Sequence, residues 1–189
     1  MLKFAVMGSG RGSSFQKIFP DVEKMAQCQW QLALSDQIDA QLLKYARQHE
    51  VMAYHLSHRK LSREVYGQQL IEIMKQQQID FILLVGFMRI LSAEFVQAWS
   101  GQIYNVHPSL LPRHKGLMDK QVHQAVLDNN ESKTGCSVHV VTPEVDEGRV
   151  ILQKQCAVET NDTVETLKTK VQSLEAESLL SVIQQKVKQ

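Results

Sequence analysis

The chain has 189 residues, 43% of them hydrophobic, enough to bury one well-sized core, and no linker-like stretch divides it. Its 21 Lys and Arg nearly cancel its 20 Asp and Glu, so it lacks the positive field that draws proteins onto nucleic acid or anionic membranes, and neither is expected as a partner. The longest apolar run, FILLVGFM at 81–88, falls far short of the roughly 20 residues that a membrane-spanning helix needs.

Strand-length apolar runs stand at 2–7, 30–34, 51–56, 81–85 and 102–106, and the segments between them have helical spacing. Residues 14–19 and 36–49 read as helices, and 61–78 places Leu61, Val65, Leu70, Ile73 and Met74 on one stripe. This alternation predicts an α/β, Rossmann-like and mostly parallel sheet with helices on both faces. Ligands are then expected in the crevice beyond the carboxyl ends of the strands. After residue 130 the pattern changes: 136–142 alternates and 149–158 is again β-rich, so the two should pair as an antiparallel addition through the loop PEVDEG. A last helix should start near Thr163, capped by Asn161 or Asp162, with Val164, Leu167, Val171, Leu174, Leu179, Val182 and Ile183 facing inward.

Cys28, Cys136 and Cys156 are too scattered to form a metal motif and are odd in number, and the start of the chain shows no secretory pattern. A reduced cytoplasm and the absence of a metal are therefore expected. His55 and His58 are read as ordinary core or surface histidines.

The stretch GSGRGSS at 8–14 leaves the first strand as a glycine-rich turn, which suits an anion. A dinucleotide fingerprint would need a third glycine at Ser13, although Asp36 could serve as its ribose-binding acid. A triphosphate P-loop would need a lysine after the glycines, and there is none. The third reading is a phosphate-ester site, in which Gly12, Ser13 and Ser14 offer backbone amides and hydroxyls at the start of a helix. An ordinary strand-to-helix turn is the bland alternative.

Residues 86–112, GFMRILSAEFVQAWSGQIYNVHPSLLP, narrow the choice. GFMRILS is followed by N-x-HPSLLP, with SGRGSS before them and VDEG after the strand SVHVVT. In this order and spacing the chain, from residue 1 to about 183, resembles the glycinamide ribonucleotide formyltransferases, folate-dependent enzymes of purine synthesis. The residues fit the chemistry. Asn105 and His107 alternate with Val106 and so project on one side of the pleat, and both can donate hydrogen bonds to an oxyanion.

The resemblance implies that Asn105 and a protonated His107 stabilise the tetrahedral intermediate while Asp146 moves the proton, with Ser137 and His139 supporting them from behind. It implies that Gly12, Ser13, Ser14, Pro108, Gln172 and Glu175 hold the ribonucleotide. It further implies that Met88, Arg89, Ile90, Leu91 and Val145 line a slot for 10-formyltetrahydrofolate, the co-substrate, with Arg63 meeting the folate glutamate. No metal is implied. One domain over 1–189 is expected, with 1–100 as the phosphate-substrate half and 101–189 as the folate and catalytic half, acting as a monomer or homodimer.

The chain departs from the family at Ser14, where Asn is usual, and near Glu147 to Arg149, where a Pro or a second Gly is usual. The lid-like loop 113–121 is the least transferable segment. Its His114, together with His123, is not expected to be catalytic, and Arg113 and Lys115 read as solvated charge. The same Asn, His and Asp constellation serves methionyl-tRNA formyltransferase and formyltetrahydrofolate hydrolase, whose additional domains are not expected to fit in 189 residues. A non-catalytic nucleotide-binding module and an NAD-dependent oxidoreductase are the alternatives of other classes.

Overall fold

The computed structural model describes residues 1–188. Its elements alternate as β1 (Leu2–Met7), α1 (Ser13–Val22), β2 (Cys28–Ser35), α2 (Gln41–Gln48), β3 (Met52–His55), α3 (Arg63–Gln76), β4 (Phe81–Leu84), α4 (Ala93–Ala98) and β5 (Ile103–His107). There follow α5 (Lys120–Asp128), β6 (Lys133–Val140), β7 (Val150–Ala157) and the long α6 (Val164–Lys186). The strands form one sheet in the order β3-β2-β1-β4-β5-β6-β7. β1 to β5 are parallel, and β6 and β7 are antiparallel, as the sequence predicts.

At the middle of the sheet both faces are covered, which is why β4 is apolar and buried throughout, whereas Met52 and Tyr54 of the edge strand β3 are exposed. Along β1, Phe4 and Val6 join Phe15, Phe19 and Trp30 and the buried stripe of α6, while Ala5 and Met7 join Leu70, Met74, Phe95 and Trp99 under α3 and α4. The chain winds outward from β1 to β3 and then returns to place β4 on the other side of β1. That reversal opens a crevice at the carboxyl ends of β1 and β4, the position where such sheets take their ligands.

Several local expectations are revised. α1 runs on through Pro20 to Val22, because Phe15, Ile18, Phe19 and Val22 are buried and outweigh one lost ladder bond. α2 begins only at Gln41, since Asp36 turns into the protein before it. Val65 is not on the inner stripe of α3: it is exposed, and Tyr66, Gly67 and Ile71 take the buried positions. Thr163, rather than Asn161 or Asp162, caps α6, in a reciprocal box with Thr166. Asp162 instead accepts from the Thr166 hydroxyl and pairs with Lys170 at 2.6 Å.

Candidate active site

A cleft of about 670 Å³ opens over the carboxyl ends of β1, β4 and β5. Gly12, Ser13, Ser14, Pro108, Gln172 and Glu175 line it, as do Met88, Arg89, Ile90, Leu91, Val145 and the trio Asn105, His107 and Asp146. Arg63 does not: it is the first residue of α3, is exposed, and stands 3.7 Å from Glu64.

At one end, α1 points its N-terminus into the cleft. Gly12 takes the N-cap position with φ 65°, and no side chain caps the helix. An L side chain at Gly12 would be strained in this left-handed conformation, and its Cβ would come within 2.9 Å of Leu42 Cδ1. Because the amides of a helix's first turn have no partner within the helix, the uncapped end offers donors and a positive dipole to an anion. The hydroxyl of Ser14 is engaged elsewhere, donating to Glu175 Oε2 of α6 at 2.5 Å. Burial pushes the Glu175 carboxyl up to about 7, only partly offset by that hydrogen bond and by Lys168 and Lys17.

The glycine turn is also tied to the next loop. Ser9 N–H donates to the Gly86 carbonyl at 3.0 Å, and Ser9 Oγ accepts from Met88 N–H at 2.8 Å. Beside Met88, Arg89 pairs with Asp36, Nε to Oδ2 at 3.4 Å. Asp36 has a wholly buried carboxylate that also accepts from Gln37 Nε2 at 2.8 Å and faces His58 Nδ1 at 3.4 Å. It does not line the cleft, so the ribose-binding acid that a dinucleotide site requires is missing. Around Met88 and Arg89 the slot is apolar, and Ile90, Met118 and Val145 are exposed at its rim.

At the floor of the cleft, four side chains interlock. Asn105 and His107 leave the same side of β5, as their spacing requires, and their strand partners on β6 are His139 and Ser137. His139 Nδ1 lies 3.0 Å from the Val140 carbonyl, which only accepts, so that nitrogen carries the proton. Nε2 is then the nitrogen that meets Asn105 Nδ2, at 3.1 Å. In His107, Nε2 faces the His114 carbonyl at 3.2 Å and Nδ1 faces Asp146 Oδ2 at 3.4 Å; both partners only accept, so a proton at Nε2 is held by the carbonyl and one at Nδ1 by the carboxylate.

Asp146 sits in a left-handed turn, φ 56°, with Oδ2 accepting from Gly116 N–H at 2.9 Å and Oδ1 3.4 Å from His139 Nε2. Burial raises its carboxyl, but the facing His139, the Gly116 amide and His107 outweigh burial and hold it below the usual range. Burial lowers the His107 imidazole more than Asp146 and the His114 carbonyl raise it. The resting ring is therefore predominantly neutral at pH 7.

Behind this floor Ser137 Oγ donates to the Ser109 carbonyl at 2.6 Å and accepts from Leu111 N–H at 2.9 Å. Gln153 Nε2 donates to the Leu111 carbonyl at 2.8 Å, so the loop after β5 is bonded along its length. The 113–121 loop is stapled rather than free: His114 Nε2 lies 2.6 Å from Glu131, Arg113 lies 3.1 Å from the same carboxylate, and Lys115 pairs with Glu147. Sequence reasoning missed Ser9, Gln153, the backbone groups of His114 and Gly116, and His123, a buried wall of the cleft whose imidazole burial lowers to about 4. Only the place of Ser9 inside the glycine turn gave a signal. Among the described residues no group of three His, Cys, Asp or Glu side chains is arranged to hold a metal.

A model of the family described as formyl transferase matches residues 2–183. The trifunctional purine biosynthetic protein adenosine-3 of Gallus gallus is 34% identical over 185 residues, 97% of this chain and 18% of that protein. Its Homo sapiens counterpart is 35% identical over 175 residues, 92% and 17% of the two chains. The chain thus spans less than a fifth of these curated relatives. Among solved structures, glycinamide ribonucleotide transformylase 1 from Symbiobacterium toebii superposes with a TM-score of 0.87 at 33% identity, covering 94% of this chain and 83% of that one. The phosphoribosylglycinamide formyltransferase of Brucella melitensis gives 0.90 at 29%, covering 98% and 95%. Motif order, sheet order and near-full superposition agree, and the chain belongs to the formyl transferase family, in company with the phosphoribosylglycinamide formyltransferases.

Proposed function

We propose that this chain transfers the formyl group of 10-formyltetrahydrofolate to the amine of glycinamide ribonucleotide, giving formylglycinamide ribonucleotide and tetrahydrofolate in cytoplasmic purine synthesis. The observation that carries this reading is the placement of Asn105, His107, His139 and Asp146 between two unlike ends of one cleft. One end, at the α1 terminus and Glu175, suits a ribose phosphate, and the other, at Met88 to Leu91 and Val145, suits an apolar ring.

The phosphate sits on the amides of Ser13 and Ser14, and the carboxylate of Glu175, beside Gln172, accepts from the ribose hydroxyls. Binding energy spent there brings the glycinamide amine to the formyl carbon. Attack forms the C–N bond and puts a negative charge on the formyl oxygen. Asn105 has one amide hydrogen on His139 and the other available, and preorganised donors of this kind are worth about 3 to 4 kcal/mol each. The amine's proton passes through Asp146, directly or by a water, to Nδ1 of His107, open in the tautomer that keeps its proton at Nε2. The imidazolium so formed supplies the second donor to the oxyanion. Collapse returns the electron pair, breaks the bond to the folate nitrogen and delivers the proton to that nitrogen. The His114 carbonyl keeps Nε2 out of this traffic, so a single nitrogen exchanges the proton.

The test is spectroscopic deformylation of a 10-formyl folate analogue, with and without glycinamide ribonucleotide. Deformylation that requires the nucleotide and yields its formylated product is expected. Release of formate irrespective of nucleotide would make the chain a hydrolase, and no deformylation would make it a binding module.

A further inference from the structure

Ser14 lies in the glycine turn, yet its geometry is unlike that of a phosphate-binding hydroxyl. It is buried, 3% exposed, at the second position of α1. Its Oγ donates to Glu175 Oε2, 161 positions away on α6. The two helices pack against each other, so this bond joins the terminus facing the phosphate to the carboxylate facing the sugar.

We propose that Ser14 is a positioning residue: its hydroxyl engages one oxygen of the Glu175 carboxylate and turns the other toward the vicinal hydroxyls of the ribose. This inference rests on the reading of Glu175 as the ribose acceptor and adds the device that keeps it one. A carboxylate can accept from both hydroxyls of a diol, whereas a carboxylic acid has one oxygen committed as a donor. Lys17 of α1, Lys168 of α6, Asp119 before α5 and the Cys136 thiol of β6 act electrostatically on Glu175, and His123 of α5 faces the same cleft. Lys168 pairs with Asp119, so much of its charge is already matched. Cys136, pushed up to about 12 by burial, stays neutral, as does His123 at neutral pH. Ser14 is thus the neutral donor in direct contact with the carboxylate, and removing it favours the acid.

The experiment compares Ser14→Thr with Ser14→Val, two side chains of one shape of which only the first keeps an O–H. Glycinamide ribonucleotide is titrated calorimetrically into the full chain between pH 5.5 and 9.5, with thermal melts to confirm folding and with ribose 5-phosphate and 2-deoxyribose 5-phosphate as further probes. The phosphate's own ionisation near pH ~6 is common to all variants, so the difference between variants is what is read. Ser14→Val should move the pH midpoint of nucleotide affinity upward by about one unit, with the loss nearly recovered at pH 9.5, and Ser14→Thr should hold it near that of the parent chain. The shift should be present for ribose 5-phosphate and reduced for the deoxy sugar. An equal midpoint in Val and Thr variants that both bind, or a shift of the same size for both sugars, overturns the role of Ser14 alone. No binding of glycinamide ribonucleotide by the parent chain at any pH overturns the functional reading as well.

Discussion

The α1 end of the cleft is made chiefly of backbone, an uncapped helix terminus behind a left-handed glycine, with one serine bonded to one glutamate. The floor is made of side chains, where Asn105, His107, His139 and Asp146 each constrain the next and two ring nitrogens face carbonyls. Backbone donors survive most side-chain changes, so the first end tolerates substitution unless it adds the wrong charge. At the floor, each group sets the protonation or aim of another, so any loss is felt by all.

The largest effect expected from this contrast is at the floor. His107→Ala and Asp146→Ala should each lower kcat by about 100-fold or more, and the double variant should be only slightly worse. Losses that multiply in the double variant would show that the two residues act independently. At the other end, Ser13→Asp should raise the nucleotide's KM by at least about tenfold through a like charge at the helix terminus, while folate affinity, measured in parallel titrations, stays within about twofold. Equal weakening of both ligands would indicate a damaged fold rather than a filled phosphate site.

The two ends should also titrate separately. The working forms are a neutral His107 and an ionised Asp146, both held below their usual values, so kcat at saturating substrates should be flat above pH 6.5 and fall only in more acid solution. The nucleotide's KM should instead change near pH 7, where Glu175 ionises. A single shared limb in both parameters would erase the distinction.

The smallest effect is on stability. The Glu175 carboxyl is raised from 4.5 to about 7 in the folded chain, so folding favours its protonated form, and the corresponding stability is full in acid and lost as the pH rises through that interval. Glu175→Gln should therefore melt about 3 °C higher at pH 8, as relief of about 1 kcal/mol gives in a chain of this length, while binding the nucleotide more weakly. An unchanged melting temperature would mean that the buried charge imposes no strain.

Residues that act through their own local pattern were legible. The alternation of Asn105, Val106 and His107 put the amide and imidazole on one side of a strand, and the structure keeps them there with Asp146 opposite. Residues whose role depends on a distant partner were not. The hydroxyl of Ser14 reads as a phosphate donor until α6 brings Glu175 to it, while its amide stays at the helix terminus. Asp36 suits a ribose acid until Arg89, Gln37 and His58 gather on its carboxylate. Arg63, expected to meet the folate glutamate, stands outside the lining of the cleft beside Glu64, and nothing in the sequence signals that distance.

By itself the sequence determined the periodicities, and through them the parallel sheet, its antiparallel addition and the ends of the strands that carry function, because a side chain's burial repeats with the backbone's own geometry. The tertiary structure alone decided protonation and aim. A proton on His107 Nε2 depends on a carbonyl seven residues further on, the depressed carboxyl of Asp146 on an amide from the 113–121 loop, and the raised one of Glu175 on how deeply α6 is buried. Such shifts come from desolvation and from partners across space, and neither is written in the order of residues along the chain.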